Sequence, residues 1–141
     1  MSINVNLVSD NNGHRAKVSP HGQLIVSPID FSTPVTKTLA VIDTAVNFIE
    51  PQTGHFIVIT DIIASADKDV SNTSPANVDV YESDEVESLT IVNEILSPQL
   101  IRAANLPLTG LNLKVQEGRW VNAKTSDAAI LLTIMFYRVA V

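Results

Sequence analysis

Carboxylates are the most concentrated chemically capable side chains in this sequence. Residues 82–87 hold Glu82, Asp84, Glu85 and Glu87, and two further aspartates flank a lysine in segment 67–69. Hard oxygen ligands on a flexible loop can bind calcium. The regular Asp-x-Asp-x-Asp-Gly pattern is missing, however, and like charges at such close spacing are typical of a solvated face. We therefore expect a solvated acidic loop, with a calcium site as the alternative.

The histidines do not suggest a metal centre. His14, His21 and His55 lie in or beside turns, and no H-x-H or H-E-x-x-H spacing brings two imidazoles onto one ion. The sequence also has no G-x-S-x-G elbow and no glycine-rich phosphate loop. We therefore predict that the protein is not an enzyme and has no cofactor and no catalytic or bound metal.

Aromatic side chains offer one further kind of site. Trp120 and Tyr137 could form a sugar-stacking platform of the kind found in lectins, and Tyr81 is a third aromatic to test. A single Trp between strand-forming neighbours more often anchors a core or an interface. We expect that second role for Trp120.

Composition and charge limit the function classes. The 141 residues are 45% hydrophobic and 17% charged, which is typical of a folded domain rather than a disordered chain. A net charge of -6 lacks the basic surface that a nucleic-acid binder needs. The longest apolar stretch, 128–141, is too short to span a bilayer and contains Arg138. We expect neither a nucleic-acid nor a membrane partner.

The elements that must position these residues are predicted to be strands. Runs of Val, Ile, Thr and aromatic residues alternate with Asp, Asn, Ser, Gly and Pro, which is the pattern of an all-β domain. Four prolines fall between the runs. Segment 86–104 also has apolar spacings of three and four, so a short helix is an alternative there. The predicted strands are 39–42, 45–49, 55–65, 78–81, 89–96, 111–115, 120–123 and 129–139.

The last predicted strand is apolar on both faces. Ile130, Leu132, Ile134 and Phe136 point to one side, and the intervening residues 131, 133, 135 and 137 are also largely apolar. A strand of a two-layer sandwich normally buries one face only, so the second face needs another cover. We predict a homo-oligomer whose interface includes Ile130, Leu132, Ile134, Phe136 and Trp120. A loop or arm of the same chain is the alternative cover.

The first 38 residues differ from the rest in charge and composition. They are rich in turn-forming residues, and short strands are predicted at 5–8, 16–18 and 23–26. Two acids, Asp10 and Asp30, stand against three bases, Arg15, Lys17 and Lys37, whereas 39–141 carries a net charge of -7. We therefore divide the chain into an extended N-terminal arm, 1–38, and a β-sandwich domain, 39–141.

Several segments resemble capsid decoration, or cement, proteins of tailed bacteriophages. Segment 16–26 is similar to a V-x-x-x-G-x-L strand-turn-strand near the start of such proteins, running from Val18 through Gly22 to Leu24. The resemblance extends over most of the chain. Its other segments are TDIIASAD at 60–67, VDVYE at 78–82, LPLTGLNL at 106–113 and EGRWVNA at 117–123.

The resemblance implies a jelly-roll-like β-sandwich that forms a homotrimer on the capsid exterior and clamps neighbouring copies of the major capsid protein. Such a protein would be made in the cytoplasm of the bacterial host and assembled into the virion. The arm would make the capsid contact, with Arg15, Lys17, His21 and Lys37 as its candidate residues. The alternative function is a receptor- or glycan-binding module of a phage head fibre or tail, because one fold can host different sites.

Overall fold

The computed structural model describes residues 17–18, 24–25, 32–67, 70, 74–127 and 129–141. These residues form strands and turns, and none of them is helical, so the all-β prediction is confirmed. Within them no helix is long and apolar enough to cross a membrane. The strands are β1 Lys17–Val18, β2 Leu24–Ile25, β3 Thr33–Leu39, β4 Val46–Ile49, β5 His55–Ala66, β6 Ala76–Ser83, β7 Asn93–Leu96, β8 Gln99–Leu100, β9 Asn105–Leu108, β10 Leu113–Val115, β11 Trp120–Thr125 and β12 Ile130–Ala140.

The chain divides into two units, Met1–Asp30 and Phe31–Val141. In the first unit β1 and β2 form an antiparallel ladder, with Lys17 opposite Ile25 and Val18 opposite Leu24. The two units divide after Asp30, whereas the prediction divided the chain after residue 38, and β3 accounts for the difference. The sandwich includes β3 because this strand pairs with β12 along its whole length.

One sheet, which we call the front sheet, is built around the two longest strands. β12 lies between β3 and β5, and the far edge of β5 is shared by β9 and β10, all antiparallel. A bulge places Met135 opposite Asp61 and Phe136 opposite Ile59, so Thr60 is the extra residue in β5. The Thr60 hydroxyl donates to the Met135 carbonyl across the bulge at 3.2 Å. The bulge preserves the inward position of apolar residues on both of its sides.

The second sheet, the back sheet, has the order β4, β11, β6 and β7, with β8 pairing the start of β6. All of its pairings are antiparallel. Val80 lies opposite Ala123, and Val78 lies opposite Thr125. Because successive strand residues point to opposite faces, these four side chains face the front sheet while Tyr81 and Asn122 face away from it.

The two sheets bury one apolar core between them, which makes the domain a β-sandwich. Full burial of each large aliphatic side chain contributes about 1.5–3 kcal/mol. The fully buried members come from both sheets: Leu39, Ile49, Ile59, Ile62, Ala64, Val78, Val80, Val115, Val121, Ala123, Ile130, Leu132 and Ile134.

Turns collect at the two ends of the sandwich. At the end we call basal, the Asp43 amide donates to the Thr125 carbonyl at 2.9 Å and the Ala103 amide donates to the Asp67 carbonyl at 3.2 Å. At the opposite end, which we call the loop end, the Val141 amide donates to the Gly54 carbonyl at 2.9 Å. Segment 84–92, between β6 and β7, lies at the loop end.

Two strands contain proline and were missed or misplaced by the sequence analysis. Segment 39–42 was predicted as a strand, but the strand ends at Leu39 and 41–43 form a turn. Pro34 of β3 and Pro107 of β9 lie in strands at the edges of the front sheet, where the missing N–H breaks no ladder. In segment 86–104 the helical alternative is wrong, since residues 93–96 and 99–100 are strands.

Candidate functional site

The four residues of β12 predicted at an oligomer interface lie inside the sandwich instead. Ile130, Leu132 and Ile134 have no exposed surface, and Phe136 is only 4% exposed. These side chains pack between the two sheets of one chain, so they are not available to a partner. β12 is apolar on both faces as predicted, but the face that was named for an interface is the one packed in the core.

The opposite side of β12 is open. Leu131 is 46% exposed, and Met135, Tyr137 and Val139 are half-buried. Ile63 of β5 shares this face, opposite Thr133. We call this surface the front outer face.

Polar groups lie among the apolar side chains of the front outer face. Across β3 and β12, the hydroxyls of Thr36 and Thr133 hydrogen-bond at 2.8 Å. Across β5 and β9, the Ser65 hydroxyl donates to the Asn105 amide oxygen at 2.8 Å. Thr133 lies between Leu131 and Met135 on β12, and Asp61 lies opposite Met135, so the face mixes apolar and polar side chains.

The residues predicted for a capsid-binding arm divide between the two units. Arg15 and His21 lie outside the described residues, and Lys17 is in β1. Lys37 belongs to β3, where its ammonium donates to the backbone carbonyl of Asn47 in β4 and thus joins an edge of one sheet to an edge of the other.

The position of Lys37 also changes the charge of the arm. Without it, the unit Met1–Asp30 has two bases, Arg15 and Lys17, and two acids, Asp10 and Asp30. The expected positive arm is therefore neutral overall, and its two bases lie close together at 15 and 17.

Segment 84–92 covers the part of the outer face of the back sheet that lies next to the loop end. The Tyr81 hydroxyl donates to the Ser88 carbonyl at 2.7 Å. The Asn122 amide nitrogen donates to the Ser83 hydroxyl at 2.7 Å and to the Glu85 carbonyl at 3.1 Å. The Ser83 hydroxyl in turn donates to the same Glu85 carbonyl at 2.6 Å. Tyr81, Ser83 and Asn122 are completely buried under the loop, although they lie on the face away from the core.

Burial alters the acidity of one member of this network. Desolvation raises the pKa of the Tyr81 phenol above its ordinary value of 10.0, and the neighbouring Asp79 carboxylate raises the same pKa further. The phenol therefore remains a neutral donor to the Ser88 carbonyl at neutral pH.

The carboxylates of 82–87 do not converge. Asp84 pairs with Arg119, Glu85 and Glu87 are exposed, and Glu82 is buried at 3% exposure. In the part of the chain that the structure describes, no three His, Asp or Glu side chains are grouped so that they could hold a metal ion.

Of segment 67–69 and the three histidines, the structure describes Asp67 and His55. Asp67 is exposed, whereas Lys68 and Asp69 lie outside the described residues. His55 begins β5, where its Nδ1 lies 3.1 Å from the Thr53 carbonyl oxygen. His14 lies outside the described residues.

The three aromatics considered for sugar stacking are not brought together. Tyr81 is completely buried. Trp120 is half-buried on the outer face of the back sheet, opposite Ser83, and Tyr137 is half-buried on the front outer face. Trp120 and Tyr137 thus lie on opposite sides of the sandwich and do not form one platform.

A groove lies beside loop 84–92 at the loop end. Its volume is about 410 Å³, and it is lined by Glu82, Val92, Asn93, Lys114 and Gln116. The Asn93 amide donates to the Glu82 carboxylate at a long 3.4 Å. The ammonium of Lys114 lies over the Phe56 ring, 4.1 Å from its centre. Glu82 is therefore a buried carboxylate beside an open groove.

The residues that hold this loop were not predicted from the sequence. Asn122 is flanked by Val121 and Ala123 in β11, so alternation indicated an outward side chain, and an outward Asn is ordinarily solvated. The available signal was the apolar content of 86–92, of which residues 89–92 were interpreted as the start of the strand 89–96.

Comparison with known proteins identifies no family for this chain. No family model matches the chain, and no curated protein matches it.

Proposed function

We propose that this protein is a non-enzymatic structural component of a tailed-bacteriophage virion, a capsid decoration protein. It binds the exterior of the major capsid protein shell as a homotrimer and stabilises that shell. It is made in the host cytoplasm and needs no cofactor.

The observation that carries this proposal is the front outer face. A solvated sheet face ordinarily consists of polar side chains, yet here the central strand β12 presents Leu131, Met135, Tyr137 and Val139 outward. A second copy of the chain is the cover that we propose. Apolar contacts of these side chains, with the hydroxyl of Thr133 among them, would form the interface between subunits.

The strand order supports the jelly-roll form of the fold. The chain passes from β3 to β4, β5 and β6 by changing sheets at each step, and it changes sheets again from β8 to β9, β10 to β11 and β11 to β12. Eight strand positions, four in each sheet, result from this winding when β7 with β8 and β9 with β10 each count as one. Jelly rolls have this number of strands in two sheets.

The separate unit Met1–Asp30 supports the clamping mechanism. Its β1–β2 ladder corresponds to the strand-turn-strand segment that resembles decoration proteins. Three such units on one trimer would bind neighbouring capsid subunits together, so that individually weak contacts give slow release of the whole. If the protein binds the assembled shell and not the separated shell subunits, this binding stabilises the shell by mass action.

The experiment has two stages. Light scattering on a sizing column should give three times the 15.2 kDa chain mass for the native protein. The variant Leu131→Ser/Met135→Ser should give a lower mass. Val41 is an exposed residue of the basal end, and Val41→Ser should remain trimeric.

In the second stage, the native protein is mixed with shells of its parent phage that lack it, and the pelleted fraction and the shell melting temperature are measured. A monomeric native chain that leaves the shells unbound would contradict the proposal.

A further inference from the structure

Loop 84–92 is held in place at both ends and in the middle. The Val92 amide donates to the Glu82 carbonyl at 2.9 Å, which closes the base of the loop. The buried groups of Tyr81, Ser83 and Asn122 bind its carbonyls at Glu85 and Ser88. A loop fixed by buried hydrogen bonds loses little conformational entropy when it binds a partner.

The same loop exposes a concentration of apolar side chains. Val86 is 51% exposed, Leu89 53%, Ile91 39% and Val92 41%. Single exposed apolar residues are common, whereas several on one short segment mark an interaction surface. The buried network underneath therefore holds the loop so that it presents apolar groups to solvent.

The charged residues of the loop itself are all acidic, and the neighbouring bases are Arg119 and the groove residue Lys114. Segment 82–92 contains four carboxylates and no base. Asp84 is paired with Arg119, which leaves Glu85, Glu87 and the groove residue Glu82. Two of these flank Val86 on the exposed loop, and the third is buried beside the groove.

Glu82 gives this surface a specific preference. A buried carboxylate is costly unless it is paired or well hydrogen-bonded. The contact from Asn93 is long, and the nearest lysine of the groove, Lys114, has its ammonium over Phe56. A cationic side chain inserted into the groove would pair with Glu82 out of water while its neighbours packed on Leu89, Ile91 and Val92.

We propose that loop 84–92 and the Glu82 groove form the docking surface for a segment of the shell protein that presents a Lys or Arg between apolar residues. This assignment rests on the proposed function, and it places a capsid contact on the sandwich in addition to the arm. Complementary charge is the property that selects this occupant, because the apolar loop has carboxylates on its rim and a carboxylate in its groove.

Binding to shells tests the docking surface directly. The native trimer, Glu82→Gln and Val86→Ser/Leu89→Ser are titrated onto shells that lack the protein, and bound copies are counted by sedimentation at two salt concentrations. Glu82→Gln keeps the shape of the side chain and removes its charge, so we expect at least a tenfold loss of affinity and a weaker salt dependence. The loop variant should lose affinity to a similar degree with its salt dependence retained.

Matched controls come from the basal end. Val41→Ser and Ile42→Ser remove apolar groups of similar exposure, and Asp67→Asn removes an exposed carboxylate. All three should bind shells as the native trimer does. Each variant is first checked for trimer mass and melting temperature, so that loss of binding is read only from folded protein.

The outcomes separate the two proposals. A native chain that binds no shell overturns the proposed function and this surface together. Native binding that persists undiminished in Glu82→Gln and in the loop variant overturns the docking surface alone. Equal losses in the basal-end controls also overturn it, because the effect would then not depend on the loop end.

Discussion

The outer faces of the two sheets differ in how far the chain itself covers them. On the back sheet, Tyr81, Ser83 and Asn122 are polar, and loop 84–92 of the same chain buries them and binds their hydrogen-bonding groups. On the front sheet, Leu131 and its neighbours are apolar and remain partly exposed. Polar groups on a strand can be buried by a loop whose carbonyls accept their hydrogen bonds, whereas an apolar face offers a loop backbone nothing to bind.

This difference explains why each face suits a different role. The back face uses its buried network to hold a loop with an apolar tip in one conformation. The front face is a partly exposed sheet surface in which Leu131 and Met135 lie on either side of Thr133, whose hydroxyl pairs with Thr36. The first arrangement presents an exposed apolar loop, and the second presents a sheet face that another sheet could cover.

The largest expected difference in unfolding free energy is between substitutions on the two sides of β12. Leu132→Ala should lower the free energy of unfolding by about 2–5 kcal/mol, because it opens a cavity in the core. Leu131→Ala, on the front outer face, should change the stability of the folded monomer by no more than about 0.5 kcal/mol, and any larger cost should depend on protein concentration because the proposed trimer buries this face. Urea titrations of both variants at two protein concentrations, one low enough to give monomers, measure the difference. Equal costs in the monomer would show that the outer face is as tightly packed as the core.

The next effect tests the network on the back face. Asn122→Ala removes the donors to Ser83 and Glu85, and should lower the free energy of unfolding by about 1–3 kcal/mol. A protease that cuts after glutamate should also cleave the loop faster, at Glu85 or Glu87.

Lys124→Ala is the matched control for that variant. Lys124 is on the same strand and face but forms only a 3.9 Å ion pair with Asp79. This change should cost less than about 1 kcal/mol and leave the cleavage rate unaltered. If Lys124→Ala accelerates cleavage as much as Asn122→Ala does, the loop is not held by the Asn122 contacts.

The smallest effect concerns Tyr81 and its dependence on pH. Tyr81→Phe removes one hydrogen bond to Ser88 and should cost about 1 kcal/mol at pH 7. Because burial and Asp79 raise the pKa of this phenol, the folded state favours the neutral form. The stabilising contribution is present below the unfolded pKa of about 10 and is lost as pH rises through the higher folded pKa.

Melting temperatures measured between pH 8 and 11 check this sign. The native protein should lose stability at the alkaline end, and Tyr81→Phe should lose less. Tyr137→Phe, which leaves Tyr81 in place, should follow the native profile. An identical alkaline decline in Tyr81→Phe and the native protein would show that another group causes it.

Particular strands show how far the sequence could be interpreted. β5, β11 and β12 were located to within two residues, because β-branched and aromatic runs of that length have few alternatives to a strand. β3 and β9 were not predicted as strands, because Pro34 and Pro107 were interpreted as residues of turns. Proline removes one donor, and only the position of a strand at a sheet edge makes that loss harmless.

The sequence also indicated part of each candidate surface. Alternation showed that β12 is apolar on both faces, but it did not show which face the back sheet covers. The acidic character of 82–87 was evident, whereas the burial of Glu82 and the exposure of Glu85 depend on how β6 ends and the loop turns back.

The sequence by itself determined the all-β class, the positions of the long strands and the sign of the charge, since these follow from local composition and the two-residue strand period. Tertiary structure decided which face of β12 became core, and it assigned Lys37 to the sandwich rather than to the arm. It also decided that Asn122, an outward polar residue, would be buried under loop 84–92. These outcomes depend on which distant segments pack together, and contacts between residues far apart in the chain leave no periodic pattern in the sequence.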